Sequence, residues 1–441
     1  MSTALSRPAL VEAFHHYGCP REQWRIGGEF ERFALHQDGR AVGYGEPQGV
    51  RWLLEQLHDR YAWSPTFEGG NVIGLCRRGG CITLEPGAQV ELSGAPHATL
   101  SSLAAEARRT LSQLMNVLNP ADTGTVWTAL GLTPYTAIDE IPWVPKGRYK
   151  VMREYLPSQG DLATTMMKGT TSFQANFDYV DEADCAEKFT LLQQLSPLFT
   201  AMFANSPIQE GRETGLMSTR AHVWTRTDPD RTGFPDIVRS AYSHERWVDY
   251  LLDAPMMFLR LEDAWIAAQG RTFRTWMANG IDGIFPTWDD WALHQTSVFP
   301  EVRVKHTLEV RGTDAVPLPL ALGGIALWTA LLYDDRARSE ALALAADFCA
   351  EGTPDSRLAQ AARDGLGATG SRSWADWAID LVGIADRGLA RSEPRDRALL
   401  EPLRAQVARR ESPAASALRL FREDQDPSVF LPKVAYRLPA S

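Results

Sequence analysis

The chain has 441 residues, of which 44% are hydrophobic, 23% charged and 10% aromatic, and it carries a net charge of −10 at pH 7. That length allows up to about three domains or one large enzyme domain with an appendage, and 14 tryptophans exclude a disordered chain. The acidic balance speaks against a general nucleic-acid or anionic-membrane surface.

The N-terminus, MSTALSRPALVEAFHHYG, has no apolar core before a cleavage site, so no signal peptide is read there. Residues 8–18 and 47–60 read as amphipathic helices, with the strand candidate RIGGEFERFAL between them and CITLE and QVELSG following. Leu100, Leu103, Ala107, Leu111 and Leu114 share one face over 100–118 and predict a helix. A second strand set follows, TTSFQANFDYV, RAHVWTRT and HTLEVRG, interspersed with helices over 183–205 and 245–258. The run VPLPLALGGIALWTALLY, 316–333, reaches the length of a membrane span, but two prolines and a Gly pair interrupt it. It predicts a buried helix from about Leu320. Beyond 333 the composition shifts to Ala, Arg, Leu, Asp and Glu without strand patterns, so the end of the chain should be helical. The sum is one α+β unit with an antiparallel sheet. Five cysteines without a C-x-x-C pair suggest neither a disulfide framework nor a zinc site, and a reducing cytosol fits them.

Acids recur on these strands among apolar neighbours. Glu29 and Glu31 are two apart, so a strand points both to one face with Cα atoms about 6–7 Å apart, and they repel unless solvent or a cation separates them. In LEPGAQVELSG the Pro86–Gly87 turn swings Glu85 back towards Glu91. In SFQANFDYV, Gln174, Asn176 and Asp178 alternate with Phe173, Ala175 and Phe177. Glu309 and Arg311 are again two apart, which as a bare strand ion pair is worth about 0.2–1 kcal/mol. A solvated surface explains each segment singly. Their conjunction supplies hard oxygen ligands from several strands, as Mg²⁺ requires when phosphate supplies the remaining oxygens. Lys146, Arg148, Lys168, Arg220 and Arg311 are cationic candidates for clamping phosphate or carboxylate. Phosphate-loop, H-E-x-x-H, G-x-S-x-G and Rossmann signatures are all missing.

The stretches FEGGNVIGL, ITLEPGAQVELSGAP, PKGRYKVMREYLP, FANSPIQEG, STRAHVWTRTDPDRTGFP and FPEVRVKHTLEVRGTD together resemble the plant and proteobacterial type of glutamate–cysteine ligase, in family order from about 25 to 335. The resemblance implies a glutamine-synthetase-like fold, a curved antiparallel sheet forming a funnel with flanking helices. It places a catalytic domain over 1–333 and a helical part packed on it over 334–441. It implies that ATP phosphorylates the side-chain carboxylate of glutamate and that the α-amine of cysteine attacks the acyl phosphate, with two or three Mg²⁺ ions. Glu29, Glu31, Glu85, Glu91 and Glu309 are then the cation ligands, and Arg311, Glu309 and Glu85 the catalytic centre. Arg148, Arg220, Met257 and Phe30 are expected at the amino-acid substrates, and Lys168, Gln174, Asn176 and His222 at ATP. A monomer or homodimer in the cytoplasm, with no membrane or nucleic-acid partner, completes the expectation.

The chain also departs from the family pattern. Phe30 replaces a histidine of the first strand, Lys168 stands where the family commonly has an arginine, and Met257 in APMMF takes the place of a tyrosine of the acceptor pocket. A methionine has no hydroxyl to orient an acceptor. The same chemistry on another amine or a glutamate analogue is therefore the alternative. A non-catalytic ATP-binding relative and a phosphohydrolase are further ones.

Overall fold

The computed structural model of the protein describes residues 5–119, 123–261 and 264–437. Its centre is β1 (Ile26–His36), an eleven-residue strand long enough to serve two sets of partners. The other strands of the sheet are β2 (Ser64–Glu68), β3 (Asn71–Arg77), β4 (Gly80–Leu84), β5 (Val90–Ser93), β6 (Thr125–Thr128), β7 (Phe173–Phe177), β8 (Val302–Val304) and β9 (Leu308–Val310). They lie in the order β8-β9-β7-β1-β5-β4-β3-β2, with β6 pairing separately with β1. Every pair in the sheet is antiparallel. Residues 26–30 of β1 pair with β7, residues 29–32 pair with β5, and residues 33–36 turn to β6.

Period-two alternation gives the sheet a wet face and a dry one. Phe30, Phe173, Ala175 and Phe177 are buried on the dry face in one continuous core. Three helices pack there, α1 (Leu100–Val117), α3 (Glu182–Phe203) and α5 (Leu318–Tyr333), whereas α2 (Gly147–Tyr155) stands beside the end of β4, where Tyr149 donates to Leu84 O. Thr99 and Asp181 cap α1 and α3 by accepting from Ser102 N–H and Asp184 N–H, which satisfies helix-end donors. In α5 the prolines at 317 and 319 fix the first turn, and nearly every residue is buried. Phe173 stacks on Trp328 at 5.3 Å. A Cβ on Gly324 would come within 2.8 Å of both Phe173 and Phe203, so only glycine allows this approach. Full burial of each such side chain stabilises the fold by about 1.5–3 kcal/mol.

From Asp335 onward the described residues form helices and turns with two isolated bridges, Thr369–Ser373 and Ala435 to Thr128, and Asp335–Cys349 and Trp374–Ser392 pack on α5. Among the described residues no helix is long and apolar enough to cross a membrane. The predicted helices are present, the one from 245 ending at Asp253 just before Pro255. RAHVWTRT is not a strand. Ser218 accepts from Ala221 N–H and starts a short helix, α4 (Thr219–Trp224), which overrides the β-like alternation.

The cysteine reading is also corrected. Cys76 of β3 and Cys81 of β4 are direct cross-strand partners, with Cα atoms 4.1 Å apart, and form a disulfide. The spacing of five residues hides this pair from any C-x-x-C search, because a tight hairpin and not a motif brings the sulfurs together. A loop this short makes the bridge worth about 2 kcal/mol by chain entropy. The Cys76→Ser/Cys81→Ser variant should lose about that much in urea unfolding. An unchanged midpoint, with dithiothreitol equally without effect on the wild type, would show that the bridge does not form in solution.

Candidate active site

The wet face opens into a cavity of about 200 Å³. Its floor is set by register. Glu31 of β1 lies directly across from Glu91 of β5, and Glu29 lies between Ser93 and Gln174. The carboxylates are held by neutral donors. Thr83 Oγ1 donates to Glu91 Oε2 at 2.7 Å and Ser93 Oγ to Glu91 Oε1 at 3.1 Å. Asn176 Nδ2 donates to Glu29 at 2.8 Å, and Gln174 Nε2 to Glu31 at 3.1 Å. Burial first, then the neighbouring carboxylates, push Glu29 up to about 7 and Glu31 up to about 8, and raise Glu91 as well. The exposure that Glu29 and Glu31 retain is to the cavity they line.

Glu85 reaches the same cavity from the turn after β4, where its N–H donates to Gln89 O at 3.0 Å and its carbonyl accepts from Ala88 N–H. A Cβ on Gly87 would lie 2.3 Å from Lys168 O, so the turn needs glycine to close against that backbone. Gln89 locks it by donating to the carbonyls of Met167 and Thr170 at 3.1 and 3.0 Å.

The opposite wall is cationic and is organised by Glu309. Arg303 grips that carboxylate with two nitrogens at 3.0 and 2.9 Å, Lys305 Nζ approaches at 3.1 Å, and Arg311 also donates to it. Arg303 faces Glu309 directly across the β8–β9 hairpin. Although burial opposes it, this set of cations holds Glu309 well below the usual carboxylate range. Arg311 reaches on to Gln174 Oε1 at 2.8 Å, tying the cationic wall to the acidic floor. A third wall is apolar, with Met152, Met166, Met167, Met257, Phe258 and Trp224.

The predicted residues therefore separate into groups. Glu29, Glu31, Glu85, Glu91, Gln174, Arg148, Met257 and Arg311 line the cavity. Asn176 supports Glu29 from beside it, and Arg220 lies in an adjoining recess with Arg311. Four expectations are corrected. Phe30 is on the dry face, packed in the core, and touches no substrate space. Lys168 turns away from the cavity, its ammonium 3.4 Å from Asp139 O and over the Trp143 ring. His222 is on α4 and does not line the cavity. Glu309 has both oxygens taken by cationic side chains, so in this arrangement it anchors cations instead of standing open as a metal ligand. Sequence reading missed Arg303, Lys305, Met152, Met166 and Met167. Arg303 and Lys305 were legible in EVRVKHTLEVRG as alternate residues facing Glu309, whereas the methionines come together only through the fold.

Among the described residues no group of three or more His, Cys, Asp or Glu side chains stands at metal-binding spacing. The donor set still suits Mg²⁺. Glu29, Glu31, Glu85 and Glu91 line one space, and Mg²⁺ ordinarily takes one or two carboxylates with phosphate oxygens supplying the rest.

Comparison with known proteins follows the same lines. The description Glutamate-cysteine ligase family 2 (GCS2) matches residues 25–429. The chain is 36% identical over 441 residues to the chloroplastic glutamate–cysteine ligase A of Oryza sativa subsp. indica, covering 97% of this chain and 87% of that one. It is 37% identical to the chloroplastic glutamate–cysteine ligase of Nicotiana tabacum, over 95% of this chain and 80% of the relative. The crystal structure of the Francisella tularensis glutamate–cysteine ligase in complex with AMP has a similar fold, with a TM-score of 0.57 at 14% identity over 95% of this chain and 90% of that one. A bifunctional glutathione synthetase from Pasteurella multocida gives 0.55 at 12% identity, over 97% of this chain and 54% of that one. The relatives' names overturn the expectation of a cytosolic location, because they are chloroplastic proteins. An odd cysteine count carried no information on compartment once two of the five were paired.

The raised carboxyl of Glu31 has a consequence for stability. Its ordinary value is 4.5 and its folded value about 8, so between these the folded state binds a proton that the unfolded chain has lost. Stability then falls as pH rises through that window. In cation-free buffer, Glu31→Gln should gain stability relative to wild type on going from about pH 5 to about pH 8. Urea midpoints at the two pH values measure this, and a constant offset would contradict it.

Proposed function

The chain belongs to glutamate–cysteine ligase family 2, and from that premise we propose that it joins the γ-carboxyl group of glutamate to the α-amine of cysteine, using ATP. The observation that carries this reading is one cavity with an acidic floor, a cationic wall and an apolar wall, which matches the three needs of the reaction. A γ-carboxylate oxygen attacks the terminal phosphorus of ATP, ADP leaves, and the amine nitrogen then displaces phosphate from the acyl carbon. Charge accumulates on the phosphoryl oxygens in the first step. Arg311 and Arg303, both prefixed by Glu309, are the chain's own groups for stabilising it, and prefixed charges cost no reorganisation during reaction.

Bound Mg²⁺ would neutralise phosphate charge, and Glu29, Glu31, Glu85 and Glu91 are the residues that would hold it. Arg148 and Arg220 are the candidates for the carboxylates of the amino acids. The sheet is read as the curved funnel of the glutamine-synthetase type, with residues 1–333 as the catalytic part and 334–441 as its helical buttress. The assembly proposed is a monomer or a homodimer.

One observation favours a second reading of the acceptor. The hydroxyls near the apolar wall are already engaged: Tyr149 donates to Leu84 O, Thr170 to Met166 O and Thr296 to Leu293 O. With Met257 among them, that wall selects an acceptor by apolar contact, which a thiol and a short alkyl group both satisfy.

The first test is turnover of Mg·ATP with glutamate and a panel of amines, reading ADP and product mass together. γ-Glutamylcysteine as the dominant product supports the reading, and ADP release only with other amines transfers it to the second acceptor class. Arg311→Ala should lower turnover by about a hundredfold or more with the fold intact, and near-normal turnover would remove it from the phosphoryl site. Met257→Tyr should shift the ranking of amines while leaving the KM for ATP unchanged, and an unaltered ranking would detach the methionine wall from acceptor choice.

A further inference from the structure

Beside the cavity, and sharing Trp224, Phe299 and Arg311 with it, is a small recess lined also by Arg220, Glu301 and Gly312. It has room of about 10 Å³, enough for one water-sized group. Glu301 is only 7% exposed. Its Oε2 is buried without a hydrogen-bond partner, and no cation stands within ion-pair distance among the described residues. Buried carboxylates without a partner are costly, and a native one needs a reason. The placement is deliberate in the backbone: Arg311 N–H donates to Glu301 O at 3.1 Å, and a Cβ on Gly312 would fall 1.8 Å from Glu301 Oε2. Nearby, Arg220 donates through Nη2 to Arg311 O at 3.1 Å and leaves its own Nε buried and unpartnered.

An unpartnered carboxylate oxygen beside a guanidinium with a free Nε–H matches the head group of an α-amino acid, which offers an ammonium and a carboxylate on one carbon. We propose that Glu301 is the residue that binds the α-ammonium of the glutamate substrate, with Arg220 taking the adjoining α-carboxylate. The assignment rests on the ligase reading, and chemistry selects which amino acid it concerns. The acceptor's amine must be unprotonated to attack, so an amine held as an ammonium by a buried carboxylate is the one that does not react. In this reaction that is glutamate's. The water-sized recess then excludes substituted amines, and the site distinguishes glutamate from a plain dicarboxylate of equal length.

The test compares L-glutamate with glutarate, which lacks only the ammonium, by calorimetric titration of the wild type and of Glu301→Gln. The wild type should bind glutamate about tenfold to a hundredfold more tightly, as a charge-assisted hydrogen bond provides. Glu301→Gln should lose most of that preference by weakening glutamate while leaving glutarate nearly unchanged. If Glu301 merely balances the charge of Arg220 and Arg311, both ligands weaken together and the preference survives, which overturns the assignment. Should the variant fail to fold, the wild type still decides: equal affinity for the two ligands overturns it. Turnover is a separate measurement. Preference for glutamate without any ADP release would leave the Glu301 assignment standing while the ligase reading falls.

Discussion

Three glutamates forced together by strand register are the constraint on which the rest of this structure depends. β1 pairs with β5 on one side and β7 on the other, and this pairing alone puts Glu31 against Glu91 and Glu29 one step along. A slip of β1 by one residue would send Glu29 and Glu31 into the core and bring Phe30 to the cavity. The register is held because the opposite face of the same strands is apolar except for the buried Arg32, and its aromatic residues pack on α5. Burial on one side thus maintains repulsion on the other. The partners chosen for Glu29, Glu31 and Glu91 are amides and hydroxyls, which orient the carboxylates without cancelling their charge.

Glu309 shows the opposite treatment. It is surrounded by Arg303, Lys305 and Arg311, and its charge is used up in fixing theirs. A buried cluster of this kind is weak evidence for stability, since desolvation offsets much of the attraction. Its consequence is geometric: two guanidiniums are held on a hairpin wall facing uncancelled carboxylates. Gln174 spans the two, accepting from Arg311 and donating to Glu31. The cavity consequently has a fixed polarity, acid to base, along which a polyphosphate with its cations can lie.

Much of this was readable before the structure. The alternation in SFQANFDYV separated wet from dry residues correctly, and the paired glutamates of GGEFERF and LEPGAQVEL announced a shared face. What failed had physical causes. RAHVWTRT alternates like a strand, yet a serine cap decides it as helix. Lys168 and His222 are on short helices, where a shift of one residue turns a side chain by about 100°, as the 3.6-residue turn requires. Periodicity of two could place the strand residues but not these. The disulfide and the methionine wall both depend on chain segments meeting in space, and a single sequence holds no register between segments.

The face on which a departure falls also decides what it means. Phe30, where the resemblance implies a histidine, is on the dry side with Leu103 and Ile325 near Gly28. Its change is answered by packing and has no path to the chemistry. Met257 is in the cavity wall, on the segment leading into Phe258–Leu261, while the neighbouring methionines come from α2 (Gly147–Tyr155) and from Ala163–Gly169. None of these elements carries Glu309, Arg303 or Arg311. In the proposed reading, acceptor choice and phosphoryl transfer therefore fall to different parts of the chain, so a change in the methionine wall leaves the cluster of acids and cations untouched.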